Sequence, residues 1–167
     1  MRRAAALALA AALLAAPGAG AALTAQQELF RDALLADPGT TAAIERLLRD
    51  GGAHVARDAR FADLTGDGRA DAVVRVRTPG AAGAVAAYVL STHGREADAP
   101  LRSAFRSQRL YRASAVPVEG ALRLRTALYR RGDELCCPAT IRQRTYTWSA
   151  RAERFVLRET VEFDGPR

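Results

Sequence analysis

The chain has 167 residues and a formal charge of +7, a length that suits one domain with a core of ordinary size. All 25 basic residues are Arg, with no Lys and no Asn anywhere, the bias of GC-rich coding. There is no basic tail and no basic helix, so the charge does not argue for nucleic acid, which is excluded as a partner.

Met1-Arg2-Arg3 is a short basic start. Residues 4–16 form an unbroken Ala/Leu run, and Pro17-Gly18-Ala19-Gly20-Ala21 closes it with small residues. This is the layout of a secretory signal, with cleavage expected after Ala21. The apolar run of about 13 residues is too short to span a bilayer, and no later stretch is long enough, so no membrane span is expected. The predicted location is the periplasm or the exterior. Loss of Arg2 and Arg3 with the leader lowers the formal charge of +7 by two. Residues 22–167 are then expected to form one domain.

Thr24-Ala25-Gln26-Gln27 has the spacing of a capping box, Thr at N-cap and Gln three residues on. Leu29, Phe30, Ala33 and Leu34 follow at helical spacing, which predicts a helix over 25–36 ending at Asp37-Pro38-Gly39. Thr40 or Thr41 caps a second helix with Ile44, Leu47 and Leu48 as its stripe, and Gly51-Gly52 ends it. The pair reads as a helical hairpin laid over one face of a sheet.

Residues 54–60 read as a connector or edge strand. The period then changes to two. Strands are predicted over 72–77 and 85–91, the latter apolar on both faces and therefore central. Residues 101–118 hold strand pieces broken near Ser107-Gln108. Glu119-Gly120 signals a hairpin turn. Residues 121–129 alternate, with Leu122, Leu124 and Leu128 on one side and Arg123 and Arg125 on the other. Two more strands cover 140–148 and 154–163. The fold class is α+β, a helical hairpin on an antiparallel β-meander of five or six strands, with the other sheet face wet.

The most distinctive stretch is Phe61 to Val74. Asp63, Thr65, Asp67, Arg69 and Asp71 fall at positions 1, 3, 5, 7 and 9 of a loop in which Gly68 permits the sharp turn. Oxygens from alternate residues of such a coil converge on one point, which suits the six to eight hard ligands of Ca²⁺. An EF-hand also needs a bidentate Glu at position 12, and Val74 stands there. The stretch resembles instead the DxDxDGxxD loop of FG-GAP or VCBS-type repeats, which implies structural calcium without catalysis. Thr65 stands where that family has an acid, and the single copy cannot build a propeller. The ion-free reading is a capped β-turn, in which Asp63 and Asp67 bond N–H groups of their own turn. Both readings stand at this point.

Cys136 and Cys137 are the only cysteines, in a chain expected in an oxidising compartment. Consecutive Cα atoms are about 3.8 Å apart, below the usual disulfide range of about 4.4–6.8 Å. Three states are open: a bridge between neighbours, labile to exchange; two packed thiols; or bridges to another chain. The acidic turn, Phe105-Arg106-Ser107-Gln108, Leu110-Tyr111-Arg112, the run Gly132 to Pro138 and Arg144-Thr145-Tyr146-Thr147-Trp148 are together similar to the LppP/LprE-type group of exported bacterial lipoproteins. That resemblance, over about residues 55–157, implies export and an α+β domain and no particular activity. The lipid-anchor Cys of that group is missing here.

Neither His54 nor His93 has a sequence partner for acid–base work, and both read as surface residues. No Ser lies in a nucleophile elbow, and no histidine pair has zinc spacing. Arg142, Arg144, Tyr146 and Trp148 share one face of a strand, where Arg stems can pack along aromatic rings. They are the candidate ligand face. The resulting expectation is an exported, non-enzymatic domain, stabilised by calcium in one reading, that binds an envelope polymer or protein. A small exported hydrolase with an unrecognised site is the alternative. The oligomeric state is not set by these features.

Overall fold

The computed structural model describes residues 23–165; the expected leader, Met1 to Ala21, lies outside them. The fold is α+β, with two helices and two antiparallel sheets. Helix α1 (Ala25–Ala36) begins at the expected capping box: Thr24 Oγ1 accepts from the Gln27 amide and Gln27 Oε1 accepts from the Thr24 amide. The same Gln27 spends its amide group on the Val55 carbonyl at 2.6 Å, and is itself buried. One side chain therefore caps the helix and ties it to a strand. Helix α2 (Ala42–Arg49) has Thr41 at N-cap.

The strands are β1 (His54–Val55), β2 (Arg60–Ala62), β3 (Asp71–Arg77), β4 (Ala84–Ser91), β5 (Arg102–Gln108), β6 (Ser114–Val118), β7 (Ala121–Leu128), β8 (Thr140–Ser149) and β9 (Arg154–Asp164). The single meander of five or six strands is corrected to two sheets. One has the order β1-β3-β4-β5 with β2 also on β3, and the other runs β6-β7-β8-β9. The β6–β7 hairpin turns at Glu119 and Gly120, with φ of 47° and 74°, the positive pair that a type I′ turn requires.

Two cores share β3 and β4. In the first, Phe30, Leu34, Ile44 and Leu48 gather with Val55, Val74, Val76, Tyr88 and Leu90. In the second, Val73, Ala87 and Val89 meet Leu122 and Leu124 of the other sheet. The expectation of a wet second sheet face is therefore overturned. β4 is apolar on both faces and β3 adds Ala72, Val74 and Val76 to one core and Val73 to the other, so a second layer covers both. Ten or more residues from these strands are almost fully inaccessible, Val74, Val76 and Leu90 among them, at roughly 1.5–3 kcal/mol for each large side chain.

Between α1 and α2 the chain is gripped by β5. Arg106 Nη2 donates to Asp37 Oδ1 at 3.0 Å, and a Cβ on Gly39 would overlap the Arg106 guanidinium.

Candidate functional site

The acidic loop leads into β3, and its carboxylates face the loop's own donors. Asp63 Oδ1 accepts from the amides of Gly66 (2.7 Å) and Asp67 (3.2 Å), and Oδ2 from that of Gly68 (2.9 Å). Gly66 and Gly68 have φ of 75° and 80°, which lets these amides turn inward. Asp71 is buried, and its Oδ2 accepts from the amides of Leu64 and Thr65, each at 2.9 Å. Thr65, also buried, contacts Asp71 Oδ1 through its hydroxyl at 3.4 Å.

Arg69, at position 7 of the loop, places its guanidinium on Asp67 at 2.7 Å. It then reaches the carbonyls of Thr92 (3.1 Å) and Arg95 (2.9 Å). Burial raises the Asp67 carboxyl, but the bonds and charge of Arg69 and the charge of His93 outweigh it and hold it below its ordinary value. The loop thus clips the start of β3 to the β4–β5 connection. As arranged, Asp63 and Asp71 accept N–H bonds from the loop itself, and Asp67 carries the Arg69 guanidinium on its outer side. Among the described residues, Asp63, Asp67 and Asp71 do not form a group of three mutually close ligand atoms; the Glu134 carboxylate and the Cys136 and Cys137 sulfurs do.

The β8 face divides along its length. Tyr146 lies 4.9 Å from Phe105, and Trp148 lies 5.4 Å from Phe155, ring centre to ring centre. Tyr146 and Phe155 pack against the inter-sheet core. Arg142 pairs across the strand with Glu162 at 2.7 Å. The four residues do share a face, as the register of Tyr146 opposite Leu122 and Arg144 opposite Leu124 shows. The face is the inner one, and its aromatic end is consumed by packing.

His54 is exposed on β1. His93 Nδ1 stands 3.5 Å from Asp67 Oδ2 and its ring lies edge-on to Trp148 at 4.9 Å. Ser91 Oγ accepts from the His93 amide at 2.9 Å, so that hydroxyl is bonded to backbone and not to the imidazole.

Sequence reasoning missed a cleft of about 290 Å³ lined by Arg75, Arg77, Gly80, Ala81, Gly83, Ala84, Arg112 and Ala113. Arg75 and Arg77 stand two apart on β3, so they share a face. Arg112 joins them from the β5–β6 connection with φ of 48°, its amide bonded to the Ala82 carbonyl at 2.9 Å. Asp58 is the facing acid and pairs with Arg75. The Arg75 hydrogen bond lowers the Asp58 carboxyl against the effect of burial, and the charges of Arg75 and Arg77 lower it further. Three arginines thus line the cleft with no acid among its lining residues; Asp58 pairs with Arg75 beside it, and the Arg112 guanidinium also donates to the Leu135 carbonyl. Among the described residues, Arg77 and Arg112 enter no ion pair. A larger cleft of about 810 Å³ is lined by Arg31, Arg49, His54 and Arg57 with Leu23, Leu48 and Val55. Leu23 on its rim is the first described residue.

The structure joins Cys136 to Cys137 in a disulfide. Cys136 is exposed, and the buried Pro138 follows the pair.

Comparison with family models, with curated proteins and with solved structures returns no match.

Proposed function

We propose that this is an exported, non-enzymatic binding domain that takes anionic groups of an envelope polymer in the cleft formed by Arg75, Arg77 and Arg112. The helical hairpin is read as a cover on one face of the first sheet, and the acidic loop as a brace that works without calcium. Export follows from the basic, apolar and small-residue leader.

The observation that carries the reading is the charge balance at the cleft, three arginines in its lining and Asp58 as the one acid paired with any of them. Guanidiniums bind carboxylates and phosphates through paired N–H donors. Arg112 is held in a backbone region that is uncommon for a residue with a side chain, a placement that costs energy and persists where the surroundings impose it. The hydrolase alternative has less support, since among the described residues no nucleophile is hydrogen-bonded to the His93 ring.

The test uses alginate as a polycarboxylate probe and neutral dextran as its control, with the mature protein in a calorimeter. Alginate is expected to bind and to weaken as salt rises, and dextran is not. The double variant Arg77→Gln/Arg112→Gln is expected to bind at least about tenfold more weakly, the loss of two charge-assisted contacts. Unchanged affinity in that variant would end this reading.

A further inference from the structure

The loop between β7 and β8 carries a group with a different chemistry. Glu134, Cys136 and Cys137 place a carboxylate oxygen and two sulfurs all within 4.8 Å of one another. Glu134 Oε2 is 3.4 Å from Cys136 Sγ. A disulfide sulfur bears no proton and little affinity for a cation, so the group is closed as it stands.

We infer that Glu134, Cys136 and Cys137 form a redox-gated site for a thiophilic divalent cation of the zinc class, shut as the disulfide and opened by reduction. The opening step is thiol–disulfide exchange with a dithiol reductant. One thiolate of the reductant attacks a sulfur of the pair and breaks the S–S bond, and its second thiol resolves the mixed disulfide. Two electrons and two protons pass to Cys136 and Cys137, and the reductant leaves as its own disulfide. Binding of the cation then displaces both thiol protons. Two thiolates and one carboxylate with a water complete a tetrahedral zinc shell, and thiolate donors select zinc or softer ions over calcium and magnesium.

The loop is closed by bonds other than S–S. Asp133 Oδ2 accepts from the amides of Arg130 and Ala139, each at 2.7 Å, and so closes the loop at its two ends. The Leu135 carbonyl accepts from Tyr129 Oη at 2.9 Å and from Arg112. The Cys137 amide donates to the Glu134 carbonyl at 2.9 Å, closing the turn that sets the carboxylate beside the sulfurs. Beyond the loop, the Gly165 amide donates to the Ala139 carbonyl at 3.1 Å. None of these bonds uses a sulfur atom, so breaking the S–S bond removes none of them directly and the three donors keep their common loop. The exposure of Glu134 and Cys136 gives both the reductant and the ion a way in.

The experiment uses the mature chain, oxidised or reduced and then freed of reductant without air. Cd²⁺ and Zn²⁺ are the probes. Reduced protein is expected to bind one Cd²⁺ per chain with the ultraviolet band of cadmium–thiolate charge transfer, and Zn²⁺ is expected to displace it. Glu134→Gln should keep the band and bind at least about tenfold more weakly, the loss that even a supporting residue of a metal site produces. Cys136→Ser and Cys137→Ser should lose the band, with circular dichroism confirming that they fold. Equal binding by the oxidised chain, absence of the band on reduction, one ion shared by two chains, or unchanged affinity in Glu134→Gln would each overturn the site.

Discussion

Gln108 on β5 holds Thr41 at the start of α2 from 67 residues away, its Oε1 accepting the Thr41 amide and hydroxyl at 2.8 Å each. Its amide group donates to the Gly39 carbonyl at 2.9 Å. A strand residue therefore satisfies the amide of the N-cap residue itself, whose own side chain makes no cap bond to the helix. Gln108→Ala leaves an N-terminal helix amide without a partner and is expected to cost about 1–3 kcal/mol. Urea unfolding measures it. A loss below about 0.5 kcal/mol would show that water replaces the contact at no cost.

Asp71 separates the brace reading of the acidic loop from the ion reading. Asp71→Ala strands two amides beside a buried site and is expected to cost about 3 kcal/mol. Asp71→Asn keeps one oxygen for both amides and should cost about 1 kcal/mol. If the loop braces without an ion, millimolar Ca²⁺ leaves the wild-type melting temperature unchanged. A rise of several degrees that vanishes in Asp67→Ala would mean the loop reorganises around calcium, and the brace reading would fall.

Local features were legible in the chain. The Thr24/Gln27 box and the bounds of α1 follow from spacing and hydrogen-bond need alone. The Gly66 and Gly68 turn, the Glu119-Gly120 hairpin and the two-faced burial of β4 follow in the same way. The second sheet was not legible, because antiparallel neighbours look alike whether they extend one sheet or start another. What decides it is that Val73, Ala87 and Val89 need a cover, and Leu122 and Leu124 supply it. The arginine cleft escaped for a similar reason. Arg75 and Arg112 lie on separate elements, and only the approach of the 78–83 loop to the β5–β6 connection joins them. In the acidic loop, spacing showed where oxygens fall but not which donors they face.

Asp133 gives the cysteine loop a pH dependence of known sign. The amides of Arg130 and Ala139 hold its carboxyl below the ordinary value of 3.8. A depressed folded-state pKa contributes order that is complete above the unfolded value and lost as pH falls through the folded one. Amide exchange at Arg130 and Ala139 is expected to stay slow from neutral pH down past 3.8, once corrected for intrinsic rates, and to lose protection only below it. Asp133→Asn, which keeps an acceptor oxygen without the charge, should remove that acid transition. Protection lost already near pH 5 would contradict the assignment.

Tyr146 and Trp148 decide between a ligand face and a packing face on β8. Both are half-buried, with Tyr146 against Phe105 and Trp148 between His93 and Phe155. Truncation removes edge-to-face contacts and inter-sheet area together, so Tyr146→Ala and Trp148→Ala are each expected to cost about 2 kcal/mol. Trp148 is the only tryptophan, so its fluorescence reports the unfolding of wild type and Tyr146→Ala directly. Under packing, alginate affinity is unchanged in both variants at temperatures where they remain folded, whereas Arg77→Gln/Arg112→Gln stays folded, gives up only the Arg112 bond to the Leu135 carbonyl, and loses affinity. A stacking platform for sugar rings would give the reverse, since each aromatic lost there removes binding free energy directly. The two sets of variants, scored for stability and affinity in the same preparations, therefore assign the binding surface to the cleft or to the strand.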